Sequence, residues 1–154
     1  LPIFGVDIVS GSNGVSAAIV DLSPVGQGLP EKLQSQLDVV DLSGFKSVRQ
    51  LPDWGKIFSS NVCFIKPETP EEESNFLGIV DKYLISLLSY SSSILPDSSE
   101  STLTIERYKH QQIYCLQQKR NDKTRNVLAK TFSSQWADRY IDIVLFECPP
   151  LSTN

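Results

Sequence analysis

The chain has no methionine among its 154 residues. Translation starts at methionine, so either a leader has been removed ahead of Leu1 or more sequence precedes it. Leu1-Pro2-Ile3-Phe4-Gly5 enters directly as a strand, with no polar lead-in, and we expect folded sequence upstream. Cysteine is scarce and odd in number: Cys63, Cys115 and Cys148, with no C-x-x-C spacing. That pattern argues against a disulfide framework or a zinc site, and for a reducing compartment. His110 is the only histidine. No second His or Cys stands at ligand spacing, so no metal site is expected, and no nucleophile elbow supports a triad built on it. No apolar run approaches the ~18 residues of a spanning helix; the best, Leu84 to Leu88, is interrupted by serine. Gly11-Ser12-Asn13-Gly14 lacks both the spacing and the lysine of a phosphate loop. No signal peptide or basic transit segment is visible.

What is present suits one globular domain. The apolar share is 40% and the charged share 21%, both ordinary for such a chain, and the length suffices to bury a core without staples. Ile3 to Ser10 and Val15 to Leu22 read as strands joined at Gly11–Gly14, a hairpin. Glu31 to Val40 reads as a short helix. A turn follows at Pro52–Gly55, and a third strand at Asn61–Lys66. Thr69-Pro70-Glu71-Glu72 is a helix start, with Thr69 as cap, Pro70 at the first helical position and Glu72 completing a capping box. Phe76, Val80, Tyr83, Leu84, Leu87 and Leu88 then recur at helical spacing. The serine-rich stretch from Ser89 to Ser101 reads as a loop. Helices are expected over Leu103–Gln118 and Thr124–Phe146, where Ser133-Ser134 offer a break. Strands first and helices later imply an α+β fold. Three strands make a thin sheet, which fits the expectation of strands upstream.

Asp7 is the sharpest anomaly, a lone acid in the apolar run Ile3–Val9. Alternation puts it on a face with Ile3, Gly5 and Val9. Burial there would raise its pKa, as a proton donor near neutrality requires. Equally, it could be an edge-strand acid facing solvent or bonded to a backbone amide. Gln117 to Arg125 is densely polar, with Asn121 or Asp122 as a helix cap and Lys123 and Arg125 beside it. Such a helix start suits a carboxylate or phosphate ligand; an ordinary capped helix is the commoner outcome. From Arg107 to Lys130 there are seven basic residues and one acid, Asp122. That run is either a solvated face or a docking surface for something acidic. Trp54, Phe58, Trp136, Tyr140 and Phe146 are expected in the core.

Three segments resemble the ferredoxin-dependent bilin reductases. They are Leu1–Val9 running into Gly14–Pro24, Arg49–Ser59, and Gln118–Leu128 continuing to Trp136–Tyr140 and Val144–Phe146. The first favours the branch that makes phycocyanobilin. The resemblance implies an α/β/α sandwich with a central antiparallel sheet, and biliverdin between the sheet and the C-terminal helices. It implies reduction by single electrons from ferredoxin, with protons from the protein and no bound metal or flavin. Asp7 falls on the family's catalytic acid, and Asp122 on a second proton donor of some relatives. Ser16, Arg49 and Lys123 fall on positions near the bilin propionates, where Arg and Lys suit a carboxylate. Asn121 joins Asp122 in a pocket pair. The basic run would help to dock acidic ferredoxin. Ferredoxin and biliverdin are thus the implied partners, with neither nucleic acid nor membrane. The implied location is cyanobacterial cytoplasm or plastid stroma.

The resemblance also implies further strands upstream, carrying a catalytic His and a pocket Glu. His110 does not fall on that His. Without those strands the sheet would keep an unpaired edge, and the chain would be weakly stable or depend on another chain. The alternative is a non-catalytic tetrapyrrole-binding or assembly subunit derived from a bilin reductase.

Overall fold

The structure, a computed structural model, describes residues 1–150. It contains three strands, β1 (Ile3–Gly11), β2 (Gly14–Ser23) and β3 (Cys63–Ile65). The helices are α1 (Glu31–Asp38), α2 (Pro70–Ser92), α3 (Thr102–Gln118), α4 (Asp122–Thr131) and α5 (Ser134–Tyr140). The chain divides into two compact units, Leu1–Ser98 and Ser99–Asn154. The α+β expectation holds.

In the first unit the sheet is antiparallel, in the order β1-β2-β3. Gly14 closes the hairpin at φ 88°, a conformation that glycine adopts without the Cβ clash of other residues. The ladder pairs Asp7 with Ile19 and Ile19 with Phe64. Directly opposed residues share a sheet face. One face is therefore set by Phe4, Ala18, Val20, Leu22, Cys63 and Ile65, and it joins the core with Leu33 and Leu37 of α1 and Phe76, Ile79 and Tyr83 of α2. Each of the larger side chains buried there contributes about 1.5–3 kcal/mol relative to exposure. The Tyr83 hydroxyl, inside that core, donates to the Asn61 carbonyl. Asn61 in turn accepts from Gln34 at 2.5 Å and donates to Asp38 at 2.9 Å, tying α1 to the lead-in of β3. An isolated bridge between Val48 and Ile65 extends the sheet beyond β3.

The start of α2 departs from a full capping box. Thr69 Oγ1 accepts from the Glu72 amide at 3.2 Å, as expected. The Glu72 carboxylate, however, accepts from the amides of Glu68 at 2.6 Å and Lys46 at 3.2 Å. It therefore fastens the 46–48 segment to the helix. The Glu68 amide, ahead of the Lys46 contribution, holds the Glu72 carboxyl below its ordinary value against the opposing effect of desolvation. A lowered folded pKa gives stability that is present above the unfolded pKa and lost as pH falls through the folded one. Glu72→Ala should therefore melt lower than the parent near neutrality, and the gap should close under acid. Melting curves at both ends of that range check this; a gap that stays constant would remove the carboxylate from the role.

The helix α2 runs past Ser89, where a loop was expected. Ser91 and Ser92 each return a hydroxyl bond to the Leu88 carbonyl at 2.9 Å. They satisfy backbone groups from within the helix instead of drawing it open.

In the second unit, α4 and α5 divide the expected long helix at Phe132–Ser133. Ser133 caps α5 by accepting from the Trp136 amide at 3.1 Å. A π-helical turn, Ile141–Leu145, follows. Trp136 was expected in the core and is 40% exposed. It stacks between Phe132 and Tyr140, with centroids 4.2 and 4.7 Å away: Tyr140 lies one turn on along α5, and Phe132 reaches it from the end of α4, across the break. Among the described residues, no helix is long and apolar enough to cross a membrane.

Candidate functional site

The face of the sheet opposite the α1–α2 core carries Asp7, Ile19 and Phe64 in one line across three strands. Adjacent strands lie about 4.8 Å apart, so the backbones at Asp7 and Phe64 are about 10 Å apart across the sheet. Arg49 extends the line. Its amide donates to the Phe64 carbonyl at 2.8 Å, and its guanidinium lies 5.9 Å from the Phe64 ring centroid, within cation–π range. Ile19, Phe64 and Arg49 are each half-buried. The result is a flat, largely apolar face with a carboxyl at one end and a guanidinium towards the other.

Asp7 is exposed at the sheet edge, not enclosed as one of the two sequence readings had it. The apolar strand still strips part of its hydration and pushes the carboxyl above the ordinary aspartate value, while the Ile8 amide pulls it down. Elements of both readings therefore hold: an edge-strand acid, bonded to an amide, with a raised pKa. Ser16 lies at an irregularity in the hairpin, where the register shifts between Val9 and Ser10. Its hydroxyl donates to the Val9 carbonyl at 3.1 Å, which leaves its oxygen able to accept.

Asn121, Asp122 and Lys123 lie in the second unit, at the start of α4. Asn121 caps that helix by accepting from the Thr124 amide at 3.3 Å. Asp122 and Lys123 are exposed. The basic run is less uniform than it reads. Lys119 pairs with Asp142 at 3.4 Å, and Arg125 forms a short ion pair with Asp138. Both acids come from beyond the run, brought back by the turn after α4. His110 donates from Nδ1 to the Glu106 carbonyl at 2.9 Å, a bond within its own helix. Among the described residues, no group of three or more His, Cys, Asp or Glu could hold a metal ion. A hollow of about 280 Å³ between the hairpin tip and the start of α2 is lined by polar and charged residues such as Asn13, Lys66 and Glu73. None of the candidate residues borders it.

One acid escaped the sequence reading. Asp21 is 1% exposed. It accepts from Ser23 Oγ at 2.6 Å, from Ser59 Oγ at 2.5 Å and from the Ser59 amide at 3.0 Å. Burial pushes its carboxyl up against these bonds, which pull it down. The signal was available, since Asp21 interrupts the apolar run Ala17–Leu22 much as Asp7 interrupts its own.

An α+β chain with an open antiparallel sheet, a carboxyl of raised pKa and a cation on one apolar face has the makings of a site for a flat acidic ligand. The family model for ferredoxin-dependent bilin reductase matches residues 1–147, and the chain belongs to that family. It is 56% identical over its whole length to a phycocyanobilin:ferredoxin oxidoreductase of Prochlorococcus marinus, covering 62% of that protein. It is 53% identical over 97% of its length to the protein of the same name from a Synechococcus species, covering 61%. A third, from Trichodesmium erythraeum, is 44% identical over 97% of the chain and 61% covered. The chain thus spans about six-tenths of the length of these cyanobacterial relatives.

Proposed function

We propose that the protein takes part in ferredoxin-dependent reduction of biliverdin to a phycobilin, phycocyanobilin by its likeness to the relatives named above. The observation that carries this reading is the apolar sheet face with Asp7 and Arg49 at its two ends. A tetrapyrrole is flat and apolar across its rings and anionic at its propionates. Ile19 and Phe64 suit the rings, and Arg49 suits a propionate. Ser16 and Lys123 are assigned to the propionates as well, and Asn121 to the pocket wall. Asp7 is assigned as proton donor and Asp122 as a second one. Each double bond reduced takes two electrons and two protons. Ferredoxin would supply the electrons singly, and a carboxyl with a raised pKa can supply a proton near neutrality. Both compact units belong, in this reading, to one bilin reductase domain. The setting is the cyanobacterial cytoplasm or the plastid stroma.

The test is an anaerobic absorbance titration with biliverdin, followed by reduced ferredoxin. A shifted bound spectrum that converts to a new bilin is the expected result for the whole protein. Binding without conversion would favour the tetrapyrrole-binding subunit. No binding by the whole protein would remove the reading.

A further inference from the structure

The second unit holds two of the three cysteines, and the fold brings them together. Cys115 lies on α3, and its Sγ donates to the Glu147 carbonyl at 3.6 Å. The Tyr108 hydroxyl, two turns earlier on the same side of the helix, donates to the Pro149 carbonyl at 3.1 Å and accepts from Gln112 at 2.7 Å. Residues 147–149 are thus held along α3 by two hydrogen bonds, and Cys148 sits between them. That places Cys148 beside Cys115, whose thiol is raised first by desolvation and then by Cys148 itself. Both are half-buried, so a small oxidant can reach them. Cys63 differs. It is 3% exposed in the core of the first unit, out of an oxidant's reach, and burial pushes its thiol up to about 11.

We infer that Cys115 and Cys148 form a reversible intramolecular disulfide that fastens the 147–149 segment to α3. The oxidant is a low-molecular-weight disulfide. The thiolate of one cysteine attacks it, a mixed disulfide forms, and one small thiol leaves. The thiolate of the other cysteine then attacks the protein-bound sulfur, the Cys115–Cys148 bond forms, and the second small thiol leaves. Two protein sulfurs are oxidised, the oxidant is reduced to two thiols, and the protons from the cysteines end on those leaving groups. An unpaired set of three cysteines argues against a structural framework. A transient pair is the kind of disulfide that a reducing compartment does permit. The bridge would close a loop that contains α4, α5, Asn121, Asp122 and Lys123, and closing a loop of that size limits the unfolded chain. The inference is independent of how the bilin site is assigned.

The experiment equilibrates the intact protein in glutathione buffers from fully reduced to fully oxidised. Free thiols are then alkylated, and the protein is digested with trypsin without reduction. Mass spectrometry should find the peptide that begins at His110 joined to the one that begins at Tyr140, with Cys63 alkylated. The protein should remain monomeric on a non-reducing gel, and the oxidised form should melt higher than the reduced one. Cys63→Ser should leave the bridge in place, and Cys148→Ser should abolish it. Glutathione adducts on Cys115 or Cys148 without a bridge, a bridge between chains, or no reaction would overturn the inference. A bridged protein that melts no higher than the reduced one would overturn the fastening.

Discussion

Asp7→Asn in the whole protein should bind biliverdin as the parent does and reduce it about 10²–10⁴-fold more slowly, the usual range for losing a positioned acid. Asparagine keeps the size and the hydrogen-bonding edge of aspartate, so the apolar face of Asp7, Ile19 and Phe64 stays intact. What it removes is the exchangeable proton. The pH profile supplies a second readout. Loss of hydration raises the Asp7 carboxyl, and the acid form is the one that gives a proton. The parental rate should therefore fall as pH rises through that raised value, and the variant should lack this limb. Steady-state bilin formation, followed by absorbance across pH, measures both. Unchanged product formation by the variant would take Asp7 out of the role.

How far the sequence disclosed this site depended on range. The hairpin and the first part of α2 were legible because each is set by local signals: a Gly-bounded turn, and a Thr-Pro cap followed by a helical recurrence of apolar residues. The end of α2 was misread because serine can bond back to its own helix, and composition does not say which way it will turn. The basic run looked uniform because its partners, Asp138 and Asp142, return only through the turn after α4. The line Asp7–Ile19–Phe64–Arg49 was invisible for a related reason. Register across three strands and a bridge is a long-range fact, and residues 7, 19, 49 and 64 have no common spacing. Asp21 is the instructive omission. The same lone-acid signal marked both aspartates, yet the one at the edge strand stays exposed, while the one on the central strand is buried and fully bonded.

Asp21→Ala should cost the fold about 3 kcal/mol, the scale for losing hydrogen bonds to a buried carboxylate and leaving their donors without a partner. Ser23 Oγ, Ser59 Oγ and the Ser59 amide all converge on Asp21. Two of these come from the segment that leads into β3, so the carboxylate ties that segment to the middle strand. Water cannot readily replace it at 1% exposure. Asp21→Asn should cost less. Its one carbonyl oxygen can still serve the Ser59 amide, and a serine hydroxyl can rotate to accept from the new amide group. The pH dependence separates this residue from Glu72. Burial leaves the folded pKa of Asp21 above its unfolded value of 3.8. Between those two values the folded chain holds the proton more often than the unfolded one, so this group's contribution falls as pH rises through the window. The parent should therefore gain on Asp21→Ala as the solution is acidified towards 3.8, whereas against Glu72→Ala it should lose ground. Urea denaturation of the three proteins near neutrality and at the acid end of the window reads both differences. An Asp21→Ala chain as stable as its parent would mean that the Ser59 segment is held by its packing, with the carboxylate contributing nothing to the tie.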